Sequence, residues 1–350
     1  MFFPLYYLQG KYAANRNVLI VLEERMELIQ VLLNNIDLSS GNYDRYLFCY
    51  ERNSDVVKES IRKVGLINPV ILKKRLDADE TYSAICGYQR IMACQKLGWE
   101  RIEAKVIDDV KEEKILLLVL HDNLSSRGFN EIEKAIVLKK FLDIGYSYDR
   151  LMAEIATLLK IPPNKNIIDK YLSMLRLNSE IKQSVARSEL ELERAFLLIT
   201  LDDAERDVVY RFLFRESITN INEAKETMRN LLDLKLIKHL EIDELLSTDE
   251  ISHIISDSKS NKRQKGEKIC RLVKSMRYPA ISMKEDEFDK SCREMRLDND
   301  VRINHSRYFE GDDIRITLKV SNEEKLMNNL ERLLSNVRNG TFKKIFSLFK

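Results

Sequence analysis

The sequence predicts an α+β protein that is mostly helical. Three observations carry this. Ten glycines and five prolines among 350 residues are too few turn-formers for a many-stranded sandwich or barrel. From Asn130 to about Leu234 the pattern is helical almost without a break. Short strand-like runs are confined to two stretches, one before residue 107 and one after residue 300.

Composition bounds the function. Hydrophobic residues make up 44% and charged residues 33%, a globular balance in a chain long enough for two or three domains. Fifty-eight Lys and Arg against 56 Asp and Glu give +2, so only local patches could attract nucleic acid. Cys49, Cys86, Cys94, Cys270 and Cys292 form no C-x-x-C pair, and there are four histidines. That argues against a structural zinc site and a disulfide scaffold, and it fits a cytoplasmic protein. The opening MFFPLYYLQGKY lacks the parts of a signal peptide, and no apolar run of ~18 residues exists, so no membrane partner is expected.

Residues 1–35 are an apolar, aromatic N-terminal extension, and RNVLIVLEERMELIQVLL reads as either a hairpin or a helix. Ser54 is a candidate N-cap for a helix with Val57, Ile61 and Val64 on one face and Gly65 as its stop. Pro69–Leu72 and Tyr82–Cys86 read as short strands. Gly87 breaks the second, and a helix through Ile91, Cys94 and Leu97 follows it to Gly98. Ile102, Ala104 and Val106 alternate as a further strand. Residues 36–127 thus form a small α/β domain, and 128–235 a helical domain. Residues 236–283 read as a basic helical linker, since 257–277 carry eight basic and two acidic side chains. Such a run could grip a phosphate backbone; the plainer reading is a solvated helix. Residues 284–350 form an α/β module. In it Ile314, Ile316, Leu318 and Val320 alternate as a strand burying one face, and Leu326, Leu330, Leu333, Leu334 and Val337 share a helix face.

Within the helical domain, Leu151, Ile155, Leu158 and Leu159 line a first helix that Pro162-Pro163 breaks. Asn164 can cap a second, whose stripe is Ile168, Tyr171, Leu172 and Leu175. Its other face, with Lys165, Asn166 and Lys170, suits a recognition helix of a helix-turn-helix. Asn166 could read adenine, and the lysines could reach guanine or phosphate. The alternative is an ordinary surface helix, since residues 160–194 hold seven basic and five acidic side chains.

Three short boxes precede this region. They are G-L-I-N-P at 65–69, G-Y-Q-R-I-M-A at 87–93 and D-N-L-S-S-R at 122–127. The second suits phosphate by its own chemistry. Gly87 allows close backbone approach, a helix start supplies free N–H groups, and Arg90 adds a fixed charge. The plainer alternative is a strand end with a surface arginine. Asp122 with Asn123 is a candidate Mg²⁺ pair, or a turn pair.

In order and spacing these boxes resemble those of the ParB family of partition proteins, G-x-x-Q-P, G-E-R-R-x-R-A and E-N-x-x-R. The resemblance covers roughly residues 36–235. It implies a ParB/sulfiredoxin-like N-terminal domain and a helix-turn-helix domain. It also implies a nucleotide site at Asn68, Gly87, Tyr88, Gln89, Arg90 and Asn123 that takes CTP, with Mg²⁺ at Asp122. DNA would be held through Asn164, Lys165, Asn166 and Lys170. The implied partners are double-stranded DNA, a second copy bound through the C-terminal module, and a ParA-like ATPase. The implied place is the nucleoid or a plasmid. The implied function is partition by a CTP-dependent clamp, with slow CTP hydrolysis as the only enzymatic activity. The alternatives are a transcription regulator with a vestigial nucleotide site, and a phosphotransferase or nuclease on the same fold. Three charged side chains of the family's second box are absent, because Tyr88-Gln89 and Met92 replace them; CTP binding should therefore be weak. The sulfiredoxin branch needs a cysteine where Tyr88 stands, and Cys86 reads as a buried small hydrophobe. The family's turn glycine is Lys160 here.

Overall fold

The computed structural model describes residues 26–38, 44–50, 54–75, 80–108, 110–306 and 309–349. The chain divides after Thr200 into two units.

The first unit opens on a five-stranded mixed sheet of order β1-β5-β3-β4-β2. Its strands are β1 (Glu27–Leu32), β2 (Ile36–Asp37), β3 (Val70–Lys74), β4 (Tyr82–Cys86) and β5 (Arg101–Ile107). β3 runs parallel to β5 and antiparallel to β4. Helices α1 (Ser54–Val64) and α2 (Tyr88–Lys96) pack together against one face. There Ile61, Ile91 and Cys94 meet Val70, Leu72, Ile102, Ala104 and Val106. The alternation read at 102, 104 and 106 is this inward face. Ser54 is helical, and the residues before it, 51–53, lie outside the described ones. The edge strand β1 pairs with β5 from Glu27↔Val106 to Leu32↔Arg101. Residues 27–32 therefore belong to the sheet, not to a separate extension; Ile29 and Val31 extend its apolar face. Residues 1–25 of that expected extension lie outside the described residues.

Helix α3 (Glu112–Ser126) buries six successive residues, Ile115–Leu120. That is the mark of a helix enclosed on all sides, here by β4 on one flank and α4 (Glu131–Asp143) on another. Asn130 and Glu133 close a capping box at the start of α4. A turn of helix, α5 (Tyr148–Arg150), runs into a π-helical segment, Leu151–Ala156. The helices α6 (Lys165–Met174), α7 (Ser179–Ala186) and α8 (Leu192–Leu198) complete the unit.

The second unit holds α9 (Asp203–Tyr210), α10 (Ile221–Lys238), α11 (Ile242–Leu246), α12 (Asp249–Ser256), α13 (Lys262–Arg277) and α14 (Pro279–Glu294). A hairpin of β6 (Val301–His305) and β7 (Ile314–Leu318) follows, then α15 (Glu323–Arg338) and α16 (Thr341–Ser347). A boundary near residue 235 would cut α10, where Leu231 and Leu234 are buried. Nor is 236–283 a linker. Leu245, Leu246, Ile251, Ile269 and Val273 are core residues, and α13 seats on the segment before α10. A Cβ on Gly266 would stand 2.7 Å from the Ile218 carbonyl carbon and closer still to its oxygen. The C-terminal core is Phe288, Met295, Phe309, Phe342, Ile345 and Leu348. The expected burial of the β7 face is incomplete, since Ile316 and Val320 are each 40% exposed. On α15 Leu330, Leu334 and Val337 face solvent, while Leu326 and Leu333 turn partly inward. Two strands and two helices cannot cover both faces of such a module.

Candidate functional site

The three boxes meet in one cleft of about 1060 Å³. Each is carried by a different element. The first is the loop between α1 and β3, where Gly65 stops the helix at φ +76°. The second is the turn from β4 into α2, and the third is the last turn of α3. Asn68, Gly87, Tyr88, Gln89 and Arg90 line the cleft, and so do Asp122 and Asn123.

Gly87 has φ +92°, and a Cβ there would come within 2.8 Å of Val70 Cγ1 and 3.0 Å of Arg90 Nε and Nη2. Only glycine serves this turn. It lets the first amides of α2 face the cleft, where the helix dipole favours an anion. Arg90 is partly committed. Its Nη1 donates to the carbonyl oxygens of Asn68 at 2.9 Å and Pro69 at 3.0 Å. The guanidinium thus ties the first box to the second and offers an anion only its remaining N–H groups. Gln89 reaches the Cys49 sulfur at 3.8 Å.

The third box is arranged around its own arginine. Arg127 Nε donates to Asn123 Oδ1 at 3.1 Å, and its Nη1 to Glu133 Oε2 at 2.8 Å. Asn123 in turn donates to the Val119 carbonyl. The expected Mg²⁺ pair does not fit a metal as arranged. Asn123 turns its oxygen to a guanidinium, and neighbours on a helix do not share a face. Among the described residues no group of three His, Cys, Asp or Glu side chains could hold a metal ion. Asp122 instead stands beside Cys86, whose thiol is pushed well up, first by burial and then by the Asp122 charge. Cys86 is a buried thiol and no nucleophile in this state.

Sequence reasoning missed Glu133 and the role of Arg127. The Glu133 carboxylate is 3% exposed and accepts from the Tyr50 amide at 3.1 Å and the Asn130 amide at 3.2 Å. The signal was present as N-E-I-E at 130–133, which reads only as a capping box. Lys105 also lines the cleft. The cleft therefore brings Arg90, Arg127 and Lys105 together with the carboxylates of Asp122 and Glu133, and its guanidiniums already have partners.

The proposed recognition helix is α6. Asn164 caps it, its side-chain oxygen accepting from the Asn166 amide at 2.8 Å and the Ile167 amide at 3.4 Å. Capping uses the oxygen that would otherwise read a base, so Asn164 positions the helix. Lys165, Asn166 and Lys170 are exposed. The Lys165 ammonium stands 5.0 Å from the Tyr148 ring centre, and that of Lys170 5.4 Å from the Phe196 ring centre. Ile168, Tyr171 and Met174 are buried. The Tyr148 hydroxyl donates to Asp169 at 2.6 Å, tying the first helix to the second. Lys160 sits at φ +58°, the left-handed backbone that glycine supplies without strain.

Residues 24–124 match the family model of the ParB N-terminal domain. A nucleoid occlusion protein of Oceanobacillus iheyensis is 23% identical over 209 residues, covering 60% of this chain and 70% of the relative. One from Bacillus cereus is 26% identical over 174 residues, covering 50% and 57%. Among solved structures, truncated ParB of Caulobacter crescentus with its centromeric parS site aligns at 13% identity and TM-score 0.38. That alignment covers 57% of this chain and 98% of the other. The same protein with CTP-γ-S aligns at 17% and 0.26, covering 52% and 97%. These structural alignments are too loose to transfer residue roles. The family model gives the chain a ParB N-terminal domain, and the curated relatives carry the likeness to that family across half of the chain or more.

Proposed function

We propose that the chain is a duplex-DNA-binding protein of the partition or nucleoid-occlusion type, with a cleft that takes a nucleotide. The observation that carries this is a joint placement in one unit: three separated boxes close a single cleft, and α6, capped and basic on its open side, follows them. In this reading Lys165, Asn166 and Lys170 enter the major groove. The nucleotide phosphates meet the start of α2 and the free edge of Arg90. CTP is the expected nucleotide, and its binding would close two N-terminal domains around DNA. The missing charges of the second box and the engaged guanidiniums both weaken triphosphate binding. They support the second reading, a regulator whose nucleotide site is vestigial.

Self-association is part of the proposal. Met327, Leu330, Leu334 and Val337 are each at least 40% exposed, and their 3-4-3 spacing is that of a coiled-coil seam. In an antiparallel pair Glu324 of one copy lies across from Arg338 of the other.

Calorimetry with all four nucleoside triphosphates tests the cleft. Weak CTP binding that Arg90→Ala abolishes is expected; tight binding that is indifferent to Arg90 would overturn it. Light scattering tests assembly. The chain should be a dimer at micromolar concentration and Leu334→Lys a monomer, and a dimeric variant removes α15 from the contact.

A further inference from the structure

Beyond the cleft, α6 and α15, the second unit carries two exposed helix faces that match each other. The outward face of α10 holds Asn222, Lys225, Arg229, Leu232 and Leu236, one stripe at helical spacing, all exposed, with Ile237 at its border. Leu236 is 74% exposed and Ile237 57%. The opposite face of α10 is the buried one, through Ala224, Met228, Leu231 and Leu234. Lys225 and Arg229 make no ion pair among the described residues, so both charges on this face are cations without a carboxylate. The outward face of α14 holds Ala280, Met283, Glu287, Lys290 and Glu294 in one stripe, with Asp286 and Arg293 beside it. Met283 is 73% exposed, while Phe288 and Ser291 on the other side are buried. Glu294 faces Lys344 at 3.5 Å; Glu287 has no ion pair among the described residues. Both helices are anchored to α13 by their inner sides, through Asp233 with Arg277 and Glu285 with Lys274.

We propose that these two faces bind each other between copies of this chain, α10 of one copy lying antiparallel on α14 of a second. The order of chemistry along each helix is the argument. α10 runs from polar to apolar, and α14 from apolar to polar, so antiparallel contact sets like against like. The register that places Leu236 across from Ala280 brings Leu232 beside Met283. The same register puts Arg229 across from Glu287, with Asp286 next to it, and Asn222 across from Glu294. Lys225 then lies between Glu287 and Glu294, a turn away on either side, with Lys290 alongside as its nearest like-charge neighbour and Arg293 on the flank. Parallel contact would keep Arg229 against Glu287 but set Leu232 against Lys290, Leu236 against Glu294 and Lys225 against Met283, so the apolar positions and Lys225 decide the orientation. A contact of two helices is small, so the association is weak and dependent on concentration. It is separate from the α15 seam, which uses other residues.

The test is a charge exchange in the full chain, read by sedimentation velocity from 1 to 200 µM, with Leu334→Lys present throughout to silence the α15 seam. Association of the Leu334→Lys chain at the upper concentrations is expected. Arg229→Glu and Glu287→Arg should each weaken it about fivefold, and Leu236→Asp should abolish it. The combined Arg229→Glu, Glu287→Arg chain should return to within about twofold of the parent. Lys290→Glu removes the nearest like-charge neighbour of Lys225 and should tighten association about threefold. All these positions face solvent, and circular dichroism would show each variant folded. No association up to 200 µM overturns the proposal. So does a combined chain as weak as either single exchange, which would assign the two faces to different partners. A Lys290→Glu chain that associates no better overturns it too, because the antiparallel register requires that gain.

Discussion

Helices α13 and α6 are both basic in sequence, and they differ in what their cations do. The run through α13 has a net excess of six positive charges. In the fold most of those charges are spent. Arg263 pairs with Glu223, Lys268 with Asp257, Lys274 with Glu285 and Arg277 with Asp233. Lys262 donates to the Arg215 carbonyl and Lys265 to that of Ile255. On α6, Lys165 and Lys170 make no ion pair among the described residues and rest over aromatic rings. Cations over rings keep their charge and stay available to phosphate. A count of charges therefore does not show which helix keeps its cations free, because the field at a surface depends on the partners folding supplies. The run 257–277 is thus neither the solvated helix of the plainer reading nor an open grip on phosphate: it is a packed helix whose cations are held in ion pairs.

The largest effect that could break this contrast is at the seat of α13. Gly266→Ala drives a methyl group into the Ile218 carbonyl. Backbone cannot yield as a side-chain tip does, so the expected loss is about 3 kcal/mol, measured by urea unfolding. A loss under about 0.5 kcal/mol, the scale of an ordinary surface change, would mean that α13 is loosely held and its cations free to leave their partners. The next effect is on DNA. Lys165→Ala and Lys170→Ala should each weaken duplex binding by roughly 3- to 10-fold and lower the salt slope by about one. Lys268→Ala, on the neutralised run, should change neither. Equal losses from all three would erase the distinction between the helices.

Much of the first unit was legible because its signals are local. Tyr82–Cys86 is a strand as read, Gly65, Gly87 and Gly98 have positive φ, and Asn164 is a cap. The three boxes could be brought together only through resemblance, since nothing in a linear pattern shows that Asn68 and Asp122 share a cleft. Glu133 was hidden because its spacing advertises a cap, while its second duty, holding Arg127, depends on where α3 ends. The second unit was less legible. Residues 236–283 look like a solvated linker because their apolar positions are sparse. Their burial comes from Ile218 and α10, distant in sequence. In the C-terminal module the alternation of β7 was real, but alternation says which residues share a face, not what covers it.

The smallest effect concerns the charge balance of α13 itself. Glu223 closes the cap of α10 and receives Arg263 Nη2 at 2.6 Å. The Arg263 guanidinium holds its carboxyl below the ordinary value of 4.5. A depressed carboxyl stabilises the fold in full above the unfolded value, and that contribution is lost as pH falls through the lower folded value. The window is therefore from about pH 4.5 downward. Glu113, lowered chiefly by Arg150, titrates in the same range, so the whole chain's acid unfolding cannot isolate Glu223. A difference between two chains can. Arg263→Gln removes the cation, so urea midpoints of the parent and this variant should differ most at about pH 6 and draw together as pH falls below about 4.5. Because the Arg263 side chain is 39% exposed, solvent screens the pair, and the difference at about pH 6 should stay below about 1 kcal/mol. Lys268→Ala serves as the comparison: Asp257 is pushed down to about 2, first by the Ser260 hydroxyl, then by the Lys259 amide and Lys268, so the Lys268 share of the difference should persist to about pH 3. Parallel curves for Arg263→Gln would mean that the Glu223 pair contributes nothing, and that Arg263 is as open to phosphate as the lysines of α6.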